Sequence, residues 1–530
     1  MKKLAIIIAA GLACAVLLGG ACSKKPGPIR NVILIIGDGM GPQQIGLALT
    51  YARYAPRSVV PGRKLVIEEA MQAGAMGLVL MSPEGALVTD SAASATQYAT
   101  GLPARPETVG LNKDGNAAET ILELASRKGR ATGLVSDTRI THATPAAFAA
   151  HRADRNMENE IAEDVIRSGA DVLFSGGLRY FLPQEVANKN SQAYKDLREL
   201  VPAHIELDSK RKDNQNLLDA ARGQGYDLVF GKSDMQSAKS GKLLGLFTAG
   251  EMPDGIQVTK TRKSKDRQIP TLREMTEKAI EILSRSESGF FLMVEAGHID
   301  WAGHNSDAGR LIHEMLVLDE TLGYVYSWAK SREDTLVLVA ADHETGGVGF
   351  SYSRYNIPEP RALMGKAFGG KPYKPSWNYV NPEVLDRIYA QKMSFNGIRD
   401  QFEALPKKDQ TADALTRIFN ANVEFKISSE EAKAILADET NEYYVSGRDA
   451  RKSFPKVLDF KEFYVAPDEA RNNLMGRAIS REQGIVWASG THTSTPTILI
   501  ALGPENTINY FRGLRHSTEV GELMRQALGL

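Results

Sequence analysis

Asn31-Val32-Ile33-Leu34-Ile35-Ile36, running into Gly37-Asp38-Gly39-Met40-Gly41, is the stretch that decides the fold. Six residues without a polar break in the β-branched run are too short for a buried helix and do not alternate. They read as a strand covered on both faces, which is the habit of parallel sheets. The glycines that follow stop the strand, and the first side chain beyond it is an acid. Similar units recur downstream. A helical Glu119–Lys128 precedes the strand-like Ala131–Ser136; a helical Met157–Arg167 precedes Asp171–Phe174 and its Ser175-Gly176-Gly177. A helical Leu272–Ser284 precedes Phe290–Val294 and Glu295, and a long helix over Leu311–Lys330 precedes Thr335–Ala340 and Asp342-His343. Thr497–Ala501 is a late strand. Strands buried on both faces and separated by helices predict an α/β fold: a mostly parallel central sheet with helices on both faces. No internal repeat is present.

Composition fits a large enzyme. Of 530 residues 43% are hydrophobic, enough for a sizeable core, and the formal net charge is zero. A neutral chain gives no sign of a nucleic-acid surface. No apolar run of membrane-spanning length occurs within the body of the chain. The N-terminus reads differently: Met1-Lys2-Lys3 is basic, Leu4–Leu18 is apolar, and Gly19-Gly20-Ala21-Cys22 follows. This is the layout of a signal peptide over residues 1–21, of the lipoprotein kind, with Cys22 as the lipidated residue and residues 22–30 as a polar tether. Gly19 stands where leucine is usual. Simple secretion is the other reading. Both cysteines, Cys14 and Cys22, fall in this leader, so the exported part has no internal disulfide and its stability rests on the core or on bound metals.

Val88-Thr89-Asp90-Ser91-Ala92-Ala93-Ser94-Ala95-Thr96 carries the chemistry. Asp90 or Thr89 can cap a helix whose first turn begins at Ser91. The positive end of that helix favours a bound anion and a serine that must lose its proton. Read alone it is an ordinary capped helix; its company changes that. Three strands end in acids, Asp38, Glu295 and Asp342, and ligands of open parallel sheets sit beyond such strand ends. Asp300 and His304 are four apart and share a face of a helix. Asp342 and His343 converge only if the strand gives way to a loop there. His492 lies in the small-residue loop Ser489-Gly490-Thr491-His492-Thr493, ahead of the last strand. Together these suggest a metal site. Arg155, in the charged run His151–Arg155, reads first as a surface arginine, and Trp301 as a packed aromatic. His204, His313 and His516 stay outside the clusters.

The segments Asn31–Gly41, Val88–Gly101, His142–Arg155, Met293–His304, Ala340–Gly347 and Gly490–Thr495 together resemble the alkaline phosphatase family in order and spacing. The resemblance implies an alkaline-phosphatase-like sandwich over residues 31–530. It implies an exported enzyme, periplasmic or on the cell surface, which the leader's Cys22 would hold to the membrane through a lipid. That enzyme would hydrolyse small-molecule phosphate monoesters through a phosphoserine, using two Zn2+ and one Mg2+; a homodimer is compatible with it. By position, Ser91 would be the nucleophile and Arg155 the phosphate clamp. Asp300, His304 and His492 would hold one zinc, and Asp38, Asp342 and His343 the second. Asp38, Thr144 and Glu295 would hold magnesium. The donor types agree: zinc takes nitrogen and carboxylate, magnesium oxygen alone. His142 stands where the best-known bacterial members have aspartate, and Trp301 where they have lysine. This bears on the third metal and its environment.

Two readings compete with a phosphomonoesterase: a phosphodiesterase or sulfatase of the same superfamily, and a phosphate- or metal-binding lipoprotein without turnover. A serine at position 91 and an undamaged ligand set oppose them. Outside the motifs, Gly176–Arg273 is expected to loop over the sheet. A large insertion at approximately 350–481, toward the C-terminus, is expected to form a cap or a subunit contact.

Overall fold

The computed structural model describes residues 29–239, 241–446 and 451–530. The leader, the tether and Cys22 therefore lie outside the described residues, Ile29 and Arg30 excepted. Ten strands form one sheet: β1 (Asn31–Gly37), β2 (Ala75–Leu80), β3 (Ala131–Arg139), β4 (Val172–Gly176), β5 (Tyr226–Val229), β6 (Lys242–Leu246), β7 (Phe290–Ala296), β8 (Thr335–Ala340), β9 (Thr497–Leu502) and β10 (Gly513–His516). Their order is β10-β2-β9-β8-β1-β7-β3-β4-β6-β5. All neighbours pair in parallel except around β9, which runs against both β8 and β2.

β1 shows why the opening run works. All seven residues are buried, with Ile33 and Ile35 in the core on one face and Val32, Leu34 and Ile36 in the core on the other. The first core is closed by helices that include Pro42–Tyr54, Leu272–Leu283 and Ala308–Ala329; the second by Ser91–Thr100, Ile121–Arg127, Glu158–Arg167 and Ser517–Leu528. The parallel register sets Ile36 beside Glu295 and Ala340, and Glu295 beside Ser136. The carboxyl ends of β8, β1, β7 and β3 therefore emerge side by side.

Two expectations are corrected. Gly176–Arg273 does not merely loop over the sheet: it supplies β5 and β6, which extend the parallel edge. The run was hidden because these strands are short and flanked by lysines. The last strand is not Thr497–Ala501 but Gly513–His516, a half-exposed edge strand whose polar face masks the pattern. Within residues 350–481, Leu385, Ile388, Phe395, Phe419, Met475 and Ile479 enter the first core with the sheet residues.

Candidate active site

Asp90 caps the helix Ser91–Thr100, its Oδ1 accepting from the Ala93 amide at 3.1 Å. That leaves Ser91 as the first residue of the helix, buried, with Oγ 3.1 Å from His343 Nε2. The hydroxyl of Ser94 points back, donating to the Asp90 carbonyl at 2.9 Å. One turn of helix separates a site residue from a packing residue.

The strand ends deliver the acids. β1 gives way at Asp38 through Gly39, whose φ is +71° and whose added Cβ would meet Asp300 Cα at 2.7 Å. Only glycine fits that approach. Its amide donates to Asp342 Oδ1 at 3.1 Å. β8 stops at Ala340, so Asp342 and His343 are off the strand and turn inward together. His343 Nε2 lies 3.3 Å from Asp38 and 3.3 Å from Asp342. Asp300 and His304 lie on the helix His298–His304, with His304 Nε2 3.3 Å from Asp300 Oδ1. His492 is not in an irregular loop: with Thr493 it pairs antiparallel with Glu344-Thr345. That pairing holds His492 Nε2 3.0 Å from His304 Nε2 and 3.6 Å from Asp300. Three groups result whose donor atoms lie within 4.8 Å of one another: Asp300, His304 and His492; Asp38, Asp342 and His343; Asp38, His142 and Glu295. Thr144 adjoins the third, its hydroxyl 3.3 Å from Asp38 Oδ2.

These residues fit metal ions on the structure's own terms. Asp38 Oδ1 and Asp342 Oδ2 are buried oxygens without a hydrogen-bond partner, a costly state unless a cation takes them. Burial, then the charges of Asp342, Asp300 and Glu295, push the Asp38 carboxyl well above its usual range. Burial and Asp300 push Asp342 up to about 8. His304 rises to about 10, burial opposing but the negative charges of Asp300 and Glu469 prevailing. Burial, joined by the charge of His304, takes His492 down to about 4, against the opposing pull of Asp300 and the Thr89 carbonyl. The carboxyls thus divide: Asp38 and Asp342 are pushed up, whereas, burial notwithstanding, His304 holds Asp300 well below its usual range and His142 lowers Glu295.

Arg155 is no surface arginine. Its Nη1 donates to Asp90 Oδ2 at 3.0 Å and its Nη2 lies 3.3 Å from His142 Nε2. The helix cap thus also aims the guanidinium at the helix start. Trp301 is half-buried and meets His142 edge-on, ring centres 5.8 Å apart, and His298 likewise at 4.8 Å. Every residue singled out in the sequence from Asp38 to His492 lies around this one site.

The supporting residues escaped the sequence. Glu295 accepts from Ser136 and from Thr138 (3.0 Å), both on β3. Thr345 donates to Asp300 at 2.5 Å and lies 3.2 Å from His343 Nδ1; its spacing of two from His343 was the available signal. Glu344 accepts from Gln44 at 2.8 Å and Thr493 at 2.5 Å, joining the chain after Asp38 to the segment bearing His492. Glu469, inside the insertion, lies 3.5 Å from His304 Nδ1; no local pattern marks it.

Comparison with known proteins agrees with this geometry. The protein-family model described as "Alkaline phosphatase" matches residues 29–530. Alkaline phosphatase 3 of Bacillus subtilis (strain 168) is 34% identical over 363 residues, covering 65% of this chain and 70% of that protein. The alkaline phosphatase of Escherichia coli (strain K12) is 33% identical over 354 residues, covering 60% and 70%. The crystal structure of Thermus thermophilus alkaline phosphatase superposes with a TM-score of 0.74 at 27% identity, covering 95% of this chain and 92% of that one.

Proposed function

From the premise that this chain belongs to the alkaline phosphatase family and is a metal-dependent phosphoric monoester hydrolase, we propose that it works through a phosphoserine at Ser91 with two zinc ions and one magnesium ion. The observation that carries the reading is Ser91 Oγ at a helix start, 3.1 Å from His343 and backed by two unpartnered carboxylate oxygens. Asp300, His304 and His492 would hold one zinc, Asp38, Asp342 and His343 the other, and Asp38, Thr144 and Glu295 the magnesium, with His142 beside it. When bound, the metal ions supply positive charge that favours the serine alkoxide and the departing oxygen.

The chain's own residues do the rest. Free amides at the start of the helix Ser91–Thr100 face a phosphate held by Arg155, whose planar fork binds two oxygens at once. Asp90 fixes that fork. Ser91 Oγ forms a bond to phosphorus as the ester P–O bond breaks, and the alcohol leaves with a proton. Water then attacks the phosphoserine, freeing Ser91 and inorganic phosphate. Export with lipidation at Cys22, in the periplasm or on the cell surface, is part of the same proposal and rests on the leader sequence. A homodimer is favoured by the exposed apolar row Met76, Leu78 and Leu80 on β2, with Leu514 opposite Leu78 on β10.

The test is monoesterase and diesterase assay before and after exhaustive chelation, then with zinc plus magnesium restored. Loss and recovery of monoester turnover is expected. Full activity without metal, or a preference for diesters, overturns the proposal.

A further inference from the structure

Residues 351–380 leave the site's own chain directly after the short strand Gly349–Phe350 and return before the helix Glu383–Tyr389. They form a long antiparallel excursion. Ser353 and Asn378 exchange backbone hydrogen bonds of 3.0 and 2.9 Å, and farther out Arg361 and Tyr373 exchange bonds of 3.0 and 2.8 Å. Not one of these thirty residues is buried. Apart from Val380 at its end, which packs half-buried against the first core, the segment orders its backbone without adding to either core, an entropic cost that demands another return.

Its composition departs from the rest of the chain. It carries five basic side chains, Arg354, Arg361, Lys366, Lys371 and Lys374, against the single acid Glu359, a net +4 in a protein of zero net charge. It also carries six aromatics: Tyr352, Tyr355, Phe368, Tyr373, Trp377 and Tyr379. Toward the base, Tyr352 packs against Trp377 and Tyr379 with ring centres 6.4 and 5.5 Å apart, and Arg354 lies 5.7 Å over the Trp377 ring. Beyond the Arg361–Tyr373 pair, the tip presents Leu363 and a fully exposed Met364, bracketed by Arg361 and Lys366; Ile357 is exposed along the stem.

We propose that this excursion is a membrane-contact element that docks the enzyme on a bilayer containing anionic phospholipid. Cations attract the negative headgroup layer, tyrosine and tryptophan settle at the interface, and the aliphatic tip enters the acyl boundary. A second copy of the chain is a poor occupant, because an isologous contact would set one +4 surface against another. A single-stranded nucleic acid would use the cations and rings but leave Leu363, Met364 and Ile357 in water. The inference is independent of lipidation at Cys22 and of the catalytic proposal.

The test uses residues 29–530, which contain both cores and the whole family match, so that no lipid anchor contributes. Sedimentation with phosphatidylglycerol/phosphatidylethanolamine vesicles is compared with phosphatidylcholine vesicles at two salt concentrations. Binding is expected to the anionic vesicles and to fall with salt. The variant Lys366→Glu/Lys371→Glu/Lys374→Glu should weaken it by about fivefold per cation removed or more. Leu363→Ser/Met364→Ser should weaken it while leaving the salt dependence. Both variants should keep wild-type hydrolysis of a small soluble monoester, since the substituted side chains are exposed and none contributes to the three donor groups. No partition onto anionic vesicles, or unchanged partition in both variants, overturns the inference. So does tighter binding to a single-stranded oligonucleotide than to vesicles, or a shift from dimer to monomer in the variants by sedimentation velocity.

Discussion

Ser91 and Ser94 are the same residue type one helical turn apart, and their hydrogen bonds separate them. Ser91 Oγ faces His343, whereas Ser94 Oγ is spent on the Asp90 carbonyl. Ser91→Ala is expected to lower kcat by several orders of magnitude without abolishing turnover, because Arg155 and the metals still orient phosphate for direct attack by water. Ser94→Ala should be mild. Trapping at low pH and peptide mapping should place phosphate on Ser91; label on Ser94, or wild-type turnover by Ser91→Ala, refutes the assignment. His142 lies 3.3 Å from Glu295 and lines the third group of donors. His142→Asp with Trp301→Lys adds a hard anionic oxygen there and should lower the magnesium concentration needed for half-maximal activity. Identical magnesium titrations in wild type and double variant would show that these positions do not govern the third metal. At this scale most of the candidate ligands were legible from a sharp local signal, a strand end, an i,i+4 pair or a glycine, whereas Thr144 and His142 came only with the family resemblance. Ser136, Thr138 and Glu344 were not, since a hydroxyl or acid inside a strand looks like any other until the register sets it beside its partner.

Elements are held by features with their own pH dependence. The helix Leu272–Leu283 opens with a capping box: Glu274 accepts from the Thr271 amide at 2.9 Å and Thr271 accepts from the Glu274 amide at 3.3 Å. The same carboxylate binds Arg267 at 2.8 Å and Lys232 at 2.9 Å. Burial opposes the charge, but Arg267, the Thr271 amide and Lys232 together bring Glu274 down to about 2. A carboxyl lowered on folding adds stability above its unfolded value and loses it as pH falls from there toward about 2. Glu274→Gln should therefore cost about 1–2 kcal/mol at neutral pH, the range of a cap plus a half-buried ion pair. That difference should shrink steadily between about pH 4.5 and pH 2, read as the gap in thermal midpoints at each pH. A gap that persists at the acid end would mean the charge is not what matters. The Thr-x-x-Glu pattern was in the sequence, as were the buried runs of β1, β3, β7 and β8. What the sequence reading missed were β2 and β10, half-exposed at the sheet edge, the short runs β5 and β6, and the short pairing of Glu344-Thr345 with His492-Thr493. Two residues cannot show a pattern; only the chain that brings them together reveals them.

At the scale of the whole molecule, folding and metal binding are expected to be linked. The chain closes two cores around a sheet whose carboxyl edge gathers Asp38, Glu295, Asp300 and Asp342 in one buried place. Of these acids Asp300 and Glu295, burial notwithstanding, are lowered by facing histidines, while Asp38 and Asp342 are pushed toward holding protons. Asp342 is pushed up to about 8, Asp38 well above its range, and His304 to about 10. The consequence has a definite sign. A carboxyl raised on folding binds more protons in the folded chain than in the unfolded one between roughly pH 4 and pH 8, so the metal-free protein loses stability across that window as pH rises. His304, raised in the same state to about 10, contributes fully below about pH 6.5 and loses that contribution progressively as pH rises from there toward about 10. Ligation requires the carboxylates ionised and the imidazoles neutral, so metal uptake near neutrality must expel protons from His304 and from the Asp38–Asp342 pair. Two outcomes are expected. Calorimetric titration of the metal-free protein with zinc, repeated in buffers of different ionisation enthalpy, should report net proton release at pH 7. The difference in thermal midpoint between metal-loaded and metal-free protein should widen from pH 5.5 to pH 8.5, because the metal replaces the protons that rising pH removes. Zero proton release, or a gap that narrows with pH, would mean the carboxylates are already ionised in the free protein and that something other than the metal offsets their repulsion.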